Sequence, residues 1–225
     1  MKARIVLSIT LIALSLTSVT FAADREPPAM TEDGLYLIEG TRMARVYAKP
    51  EVDLSAYNRI YLVKPVVSFI KDWKRQQNQI PNRTVTSEDM QRIKADLADL
   101  FMEVFRQELQ DKGGYQTVEE AADDVLVVRP AIVHLNVVAP YSPRNPRDRS
   151  AIASAGAMTL YMELLDSVTG DKLVMAIDNK YDRTLPSNFR SDQDRNEQAA
   201  RELLGEWAEL LRLALDEART VVKGD

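Results

Sequence analysis

Residues 157–181, AMTLYMELLDSVTGDKLVMAIDNKY, carry the pattern that decides the fold. Apolar side chains alternate with more polar ones along residues 157–166, which is typical of a strand with one buried face. Residues 166–171 (DSVTGD) are turn-forming, and a second strand-like segment follows at residues 172–181. We therefore predict a β-hairpin. The side chains expected on the buried face of its first strand are Met158, Leu160, Met162 and Leu164.

Two amphipathic helices are predicted, one before the hairpin and one after it. Thr86 and Asp89 have the spacing of a capping box, and Gly113–Gly114 provide a stop signal. Ser191 and Asp194 have the same spacing at the start of the second helix. Apolar residues then recur at steps of three or four. In the first helix these are Met90, Ile93, Leu97, Leu100, Phe101, Val104, Phe105 and Leu109, and in the second Ala199, Leu203, Leu204, Trp207, Leu210, Leu211, Ala214, Leu215 and Val222.

The remaining β-prone segments extend the sheet. Polar residues 68–85 and 139–156 are predicted to be long loops. The order of segments predicts an α+β fold, with a mainly antiparallel or mixed sheet and two long helices packed on one face. We expect a single α+β domain over residues 34–225. The further predicted strands are residues 35–38, 43–48, 59–67, 115–118 and 125–138, the last being either one long strand or two strands broken at Pro130.

The N-terminus has the three-part pattern of a signal peptide. Lys2 and Arg4 are followed by the apolar residues 5–16, and then by small and polar residues up to Ala22. We predict a signal peptide over residues 1–22, cleaved after Ala22. The mature protein is therefore expected in an extracytoplasmic compartment, a bacterial periplasm.

Residues 23–33 are rich in proline and charged residues and are expected to form a flexible lead into the domain. The alternative to a cleaved signal peptide is an uncleaved membrane anchor, because the uncharged residues 5–23 are just long enough to span a bilayer. Their many serine and threonine residues make a poor membrane span. We therefore expect no stable membrane span after cleavage of the signal peptide.

Composition argues against several classes of function. The chain has no cysteine, which rules out disulfides, thiolate metal sites and a cysteine nucleophile. The formal net charge is −5, and loss of the two positive charges of Lys2 and Arg4 makes it −7, which argues against nucleic acid as a partner. No glycine-rich phosphate loop follows a strand, and the acidic residues lack the spacing of a calcium loop. We expect neither a cofactor nor a metal.

His134 is the single histidine, and it lies in an apolar predicted strand. A histidine base needs a nucleophile or an orienting carboxylate beside it, and no Gly-x-Ser-x-Gly motif is present. We expect a half-buried, hydrogen-bonded side chain and no enzyme activity. One alternative is a hydrolase or lyase in which His134 acts with carboxylates such as Asp72 or Asp148. Another is carriage of a small ligand in a pocket between the sheet and the helices.

The segment 139–156 is the first candidate for binding. Arg144, Arg147 and Arg149 cluster there with Tyr141 between prolines, so that the segment is basic in an acidic protein. Arginine side chains bind carboxylates and phosphates through paired hydrogen bonds. The expected partner is an envelope protein or an anionic small ligand. The alternative is an exposed loop whose arginines only maintain solubility.

The second candidate lies within residues 68–85. Trp73, Lys74 and Arg75 place a tryptophan beside two cations, a combination that is favoured at protein interfaces. The alternative is that Phe69 and Trp73 pack beneath the sheet as part of the core.

Several short motifs resemble one protein family, the Gram-negative envelope proteins of the domain of unknown function DUF3313, many of which are lipoproteins. The resemblance implies the fold and an envelope location, and it offers no catalytic residues. Lipoprotein members have a cysteine at the cleavage site, where this chain has Ala22-Ala23, so that the resemblance implies a freely soluble periplasmic form. The motifs are Asp33–Leu35, Val46–Pro50, Asp53–Tyr57, Phe69–Trp73, Gly113–Tyr115, Asp124–Ile132 and Leu164–Gly170.

These observations lead to a functional prediction. Export and the lack of a recognisable catalytic motif favour a non-enzymatic binding or accessory module for another cell-envelope component. The segments 68–85 and 139–156 are expected to form its binding surface, since long loops often carry function.

Overall fold

The computed structural model describes residues 27–81, 84–137, 139, 156–181 and 193–221, with side chains described throughout except at residues 193–196 and 221. The predicted signal peptide and the predicted cap at Ser191 lie outside these residues. Within them, no helix is long and apolar enough to cross a membrane.

The strands form an eight-stranded mixed sheet in the order β1-β2-β8-β7-β6-β3-β5, and β4 pairs with the second half of β6. From β1 to β6 in this order, each strand is antiparallel to the next. β3 and β4 pair parallel with β6, and β5 pairs parallel with β3. The strands are β1 (Tyr36–Ile38), β2 (Arg45–Ala48), β3 (Arg59–Leu62), β4 (Val66–Phe69), β5 (Gln116–Thr117), β6 (Val125–Asn136), β7 (Ala157–Asp166) and β8 (Lys172–Tyr181).

Two long helices cover one face of this sheet. They are α2 (Ser87–Arg106), which continues as a π-helical turn over Gln107–Lys112, and α3 (Gln193–Val221). Their apolar sides share one core with the sheet, in which Phe101 of α2 and Trp207 of α3 are fully buried. This arrangement confirms the predicted α+β fold. A further short helix, α1 (Trp73–Asn78), was not predicted.

The predicted hairpin is confirmed as β7 and β8, which pair antiparallel. All four side chains predicted to be buried on β7 are at most 4% exposed. Asp166 closes the turn, because its carboxylate accepts hydrogen bonds from the backbone N–H groups of Val168 and Thr169 at 2.9 and 2.7 Å. Gly170 has a positive φ of 73°, which glycine adopts without strain.

The capping box at the start of α2 is also confirmed. The Thr86 hydroxyl accepts a hydrogen bond from the Asp89 N–H, and the Asp89 carboxylate accepts one from the Thr86 N–H, at 3.1 and 2.9 Å. These bonds satisfy backbone donors that the first helical turn leaves free. The helix ends at Gly113–Gly114 as predicted, after its π-helical turn.

The single strand predicted over residues 59–67 is wrong, because β3 and β4 are separate strands. β3 pairs with β6 up to Val128, and β4 pairs with it from Ala131 onward. β6 itself is one continuous strand. Pro130 lies where β6 changes its parallel partner, so that its missing N–H removes no pairing to β3 or β4.

The long loop predicted over residues 68–85 is also wrong in its first half. Ser68 and Phe69 complete β4, and α1 follows after a short turn. The signal for this helix is weak in sequence, since it covers only six residues.

His134 is exposed rather than half-buried. Strict alternation along β6 would place His134 on the same face as Leu126, Val128 and Ile132, which point toward the core. Instead the register between β6 and β7 shifts between Val133 and Asn136, and His134 adopts a positive φ of 54°. This bulge turns His134 outward and returns Leu135 to the core at 1% exposure.

The sheet face opposite α2 and α3 holds a buried ionic network around Glu163 of β7, which is 7% exposed. Its carboxylate accepts hydrogen bonds from Arg129, Tyr161 and Lys172 at 2.8, 3.0 and 2.8 Å. Lys172 also pairs with Asp33. Burial would raise the pKa of the Glu163 carboxyl, but these hydrogen bonds outweigh it and hold the pKa below its ordinary value.

The residues preceding β1 pack along its outer edge. Met30 pairs with Tyr36, and Ala29 accepts a hydrogen bond from the Leu37 N–H at 2.9 Å. Leu35 is fully buried against Tyr47 and Met175 on the sheet face opposite the long helices. The last part of the predicted lead 23–33 is therefore paired with the sheet.

Strand direction gives the sheet two distinct ends. We call the end where β4, β6 and β8 finish and β7 begins the loop end, and the opposite end the turn end. The described parts of the predicted segments 68–85 and 139–156, including α1 and Ala139, lie at the loop end.

Two glycine substitutions should change stability in opposite directions. A Cβ at Gly156 would lie 2.1 Å from the carbonyl oxygen of Asn136, whereas a Cβ at Gly205 in α3 meets nothing within 4 Å. We expect Gly156→Ala to lower the free energy of unfolding by about 1–3 kcal/mol through steric overlap. Gly205→Ala should raise it by roughly 0.5–1 kcal/mol, because alanine favours a helix interior. Urea denaturation of both variants measures this, and equal effects would contradict the described packing.

Acid should destabilise the protein partly through Glu163. Because the folded-state pKa of this carboxyl is lowered, its contribution to stability is present above the unfolded pKa and is lost as pH falls through the folded pKa. The free energy of unfolding should therefore fall less steeply below neutral pH in Glu163→Gln than in the natural protein. Urea denaturation at several pH values tests this, with Glu119→Gln as an exposed control. An unchanged slope in Glu163→Gln would show that this carboxyl does not contribute.

Candidate functional site

The α1 helix is fixed against the end of β6 by Trp73. This side chain is 1% exposed, and its indole N–H donates a hydrogen bond to the carbonyl oxygen of Val137 at 2.7 Å. Its ring stacks on that of Phe69, with 4.0 Å between the ring centroids. Both contacts orient α1 at the loop end.

A second contact joins α1 to the start of the segment 139–156. The side-chain oxygen of Gln77, which is 7% exposed, accepts a hydrogen bond from the Ala139 N–H at 3.0 Å. The two segments predicted as binding loops therefore meet, since one contributes α1 and the other begins beside it.

The buried position of Trp73 corrects its predicted role as an exposed contact for a partner. The alternative, that Phe69 and Trp73 pack in the core, is the observed one. A large aromatic ring with a single donor is stable in the interior when that donor finds a buried carbonyl, as it does here.

The cations that follow Trp73 remain on the surface. Lys74 donates a hydrogen bond to the Ser87 hydroxyl at 3.0 Å, and Arg75 lies 3.0 Å from Asp72 with a side chain that is 69% exposed. Lys71 is exposed as well. We call Lys71, Lys74 and Arg75 the α1 basic surface.

The other predicted binding residues, Tyr141, Arg144, Arg147 and Arg149, lie outside the described residues and stay a prediction. Asp148, which the hydrolase alternative would use, also lies outside. Asp72 pairs with Arg75, and His134 is exposed at the bulge of β6. The hydrolase alternative therefore also stays a prediction.

The turn end is held together by side-chain hydrogen bonds that the sequence analysis did not predict. The Tyr57 hydroxyl donates to Asp166 at 2.8 Å, and burial together with this carboxylate raises the pKa of Tyr57 to about 12. Arg59 forms a forked ion pair with Asp124. Tyr57, Asp124 and Asp166 belong to the sequence motifs of the family, but the motifs did not show which side chains would pair.

A third network joins α3 to the π-helical turn that follows α2. Arg212 donates to the buried carboxylate of Glu108 at 2.8 Å, and Lys112 lies 2.6 Å from the same carboxylate. Tyr115 donates to Asp216 at 3.0 Å, and the Arg219 guanidinium stacks over the Tyr115 ring at 3.7 Å. This network is structural, because each carboxylate is bonded to a neighbouring element.

Among the described residues, no three histidine, aspartate or glutamate side chains are placed to hold a metal ion. A shallow groove of about 570 Å³ lies on the outer side of α2, between Asp99 and Asp111. Between the sheet and the helices, Phe101, Phe105 and Trp207 fill the core with no exposed surface.

The fold and this site define an α+β protein in which two long helices cover one face of a mixed sheet and a short basic helix is fixed at the loop end. The chain belongs to the family of proteins of unknown function DUF3313, whose model matches residues 36–211. This confirms the family predicted from the sequence motifs. No curated protein matches the chain.

Three solved structures are distantly similar to this chain. A protein from Xanthomonas campestris, of family DUF330, is 14% identical with a TM-score of 0.43, and the match covers 76% of this chain and 93% of that one. The PelC dodecamer from Paraburkholderia phytofirmans is 11% identical with a TM-score of 0.37, over 73% of this chain and 96% of that one. Rare lipoprotein B from Shewanella oneidensis is 10% identical with a TM-score of 0.29, over 74% and 99%.

The variant Trp73→Phe tests whether α1 is fixed as described. Phenylalanine retains an aromatic ring beside Phe69 but leaves the buried carbonyl of Val137 without its donor. We expect the free energy of unfolding to fall by about 1–3 kcal/mol in urea denaturation. Arg75→Ala, which removes an exposed side chain, should change it by less than about 0.5 kcal/mol. Equal values for the two variants would contradict the structural role of the indole.

Proposed function

We propose that this protein is exported to a bacterial periplasm and acts there as a non-enzymatic binding or accessory module for another component of the cell envelope. The loop end is the proposed binding surface, and an anionic group on the partner is the proposed target. The observation that carries this proposal is the meeting of α1 and the start of the segment 139–156 at one end of the sheet.

Charge supports the choice of the loop end. The α1 basic surface lies there, and the sequence that joins β6 to β7 at this end contains Arg144, Arg147 and Arg149. The turn end instead carries the exposed carboxylates Asp53, Asp123 and Asp171. A molecule with charges separated in this way orients its basic end toward an anionic partner during encounter.

The bonding of the buried carboxylates supports a role without catalysis. Glu108 and Glu163 lie in the interior, yet each is paired with two cations from neighbouring positions in the fold. A general acid or base must be able to exchange its proton with a substrate. These two groups instead serve as fixed acceptors that connect structural elements.

In-cell crosslinking tests the proposal. The tagged protein, starting at residue 23 after export, is crosslinked in the envelope, purified and analysed by mass spectrometry. We expect one dominant envelope partner, and the triple variant Arg144→Ala, Arg147→Ala, Arg149→Ala should reduce its recovery several-fold. The matched control is Lys49→Ala, Arg106→Ala, Arg201→Ala, which removes equal charge at positions away from the loop end.

The control decides how the result is interpreted. Loss of the partner in the first variant alone supports binding at the loop end. Equal loss in both variants would indicate dependence on total charge, and no loss in either would remove the arginine segment from the proposal. Recovery of the protein without any partner would contradict the binding module itself.

A further inference from the structure

The two long helices leave one side of the sheet without a helix above it. α2 lies over the β3–β4 side, where its Asp99 pairs with Lys64. α3 lies over β8, where the indole N–H of Trp207 donates a hydrogen bond to Asp178 at 2.8 Å. Beyond β8, on the side away from α2, the sheet continues through β2, β1 and residues 29–31. No further long helix among the described residues covers these outer strands.

The outer strands expose apolar side chains on the same face as the helices. Tyr36 lies opposite Ala48 in the pairing of β1 with β2, and paired residues of antiparallel strands point to one face. Ile38 lies opposite Val46 in the same way. Ala48 and Val46 pack against the core shared with α2 and α3, which identifies this face. Met30 pairs with Tyr36, and the exposed fractions of Met30, Tyr36 and Ile38 are 50%, 49% and 44%.

The side of α3 next to these strands is apolar as well. Leu203, Leu210 and Ala214 follow one stripe along the helix, and none of them is fully buried. Leu203 also packs against the core, so that the stripe is directed partly toward the sheet. The stripe lies away from α2, because Arg201 and Arg212 on the other side of α3 bond to α2 and its π-helical turn.

The space beside α3 has the width of one helix. Neighbouring strands lie about 4.8 Å apart, so that residues 29–31 are roughly 14 Å beyond β8. An α-helix with its side chains is about 10 Å across. A third helix therefore fits beside α3 and over β1 and β2. We call this surface the β1 shelf, and its residues are Met30, Tyr36, Ile38, Leu203, Leu210 and Ala214.

Carboxylates border the β1 shelf. Those that are exposed are Glu202, Glu206 and Glu217 on α3 and Glu39 after β1. Glu206 is paired with Lys180 of β8, and Arg42 is an exposed cation near Glu39. The described border of the β1 shelf therefore carries more carboxylates than cations.

We infer that the β1 shelf binds an amphipathic helix of a partner protein, one with lysine or arginine side chains beside its apolar face. The apolar face of such a helix would cover Tyr36 and Ile38, and its cations would lie beside the carboxylates of α3. A helix fits better than an added strand, because residues 29–31 already occupy part of the outer edge of β1. The β1 shelf is separate from the loop end, so that this inference does not depend on the proposed function.

Fluorescence anisotropy with two synthetic peptides tests this inference on the protein that starts at residue 23. Each peptide has about 18 residues, or five helical turns, with leucines at the spacing of one helix face. The remaining positions are lysine in one peptide and glutamate in the other. We expect the lysine peptide to bind at least tenfold more tightly than the glutamate peptide.

One pair of variants tests the apolar contact. Tyr36→Ser, Ile38→Ser should weaken binding of the lysine peptide roughly tenfold, since it removes exposed apolar surface from the β1 shelf. The matched control is Tyr61→Ser, Val168→Ser, which removes exposed apolar side chains from other parts of the surface and should retain the binding.

A second pair of variants tests the charges. Glu202→Gln, Glu217→Gln should weaken binding of the lysine peptide severalfold. Glu119→Gln, Glu120→Gln changes the net charge by the same amount at exposed positions between β5 and β6 and should retain the binding. Circular dichroism of each variant verifies that the fold is intact.

Several results would overturn the inference. These are failure of the lysine peptide to bind, equal binding of the two peptides, and equal loss in either variant and its control. Sedimentation velocity tests the remaining occupant, a second copy of this chain. If the protein forms a dimer that Tyr36→Ser, Ile38→Ser dissociates, the second copy occupies the β1 shelf and the inference is wrong. The proposed function remains in each case, because its crosslinking experiment depends on the loop arginines.

Discussion

The rest of the structure depends on how β6 is paired. Along one side it pairs with β7, and along the other it pairs first with β3 and then with β4. Beyond the change of partner at Pro130, the bulge at His134 reverses which residues face the core. Val137 and Ala139 are buried as a result, and their backbone groups bond to Trp73 and Gln77. The loop end is therefore built by the irregularity of one central strand.

The side-chain networks of the turn end and the proposed binding surface lie at different ends of this molecule. Side-chain networks at the turn end connect β3, β6, β7 and α3, and they use the acidic residues of an acidic protein as hydrogen-bond acceptors. The described side chains of the loop end also form bonds, among them Trp73 with Val137 and Gln77 with Ala139, while the cations of the α1 basic surface stay on the surface. The cations of the α1 basic surface are therefore not part of the networks that hold the turn end together.

Local patterns predicted the parts of the fold that local interactions determine. The hairpin and the capping box at Thr86 involve residues close in sequence, so their geometry followed from spacing. The exposure of His134 and the separation of β3 from β4 depend on partners far along the chain, and alternation alone gave the wrong result.

The family motifs were recognisable for a structural reason: Tyr57 and Asp166 belong to two of them and bond to each other at the turn end. They accordingly identified the fold and not the site. The cations of α1 were found in sequence, but their fixed placement depends on contacts with β6.

The net negative charge of the protein is compatible with the proposed anionic partner, because the two ends of the sheet are far apart compared with the range of electrostatic screening. β6 contains 12 residues, so that the two ends of the sheet lie roughly 36 Å apart at about 3.3 Å per residue. Screening at physiological salt reduces interactions between exposed charges beyond about 8 Å. The acidic turn end would therefore oppose the proposed binding at the loop end only weakly. Burial of Trp73 favours the proposed binding for a separate reason. It holds Lys71, Lys74 and Arg75 on one fixed surface, which lowers the conformational entropy lost on binding.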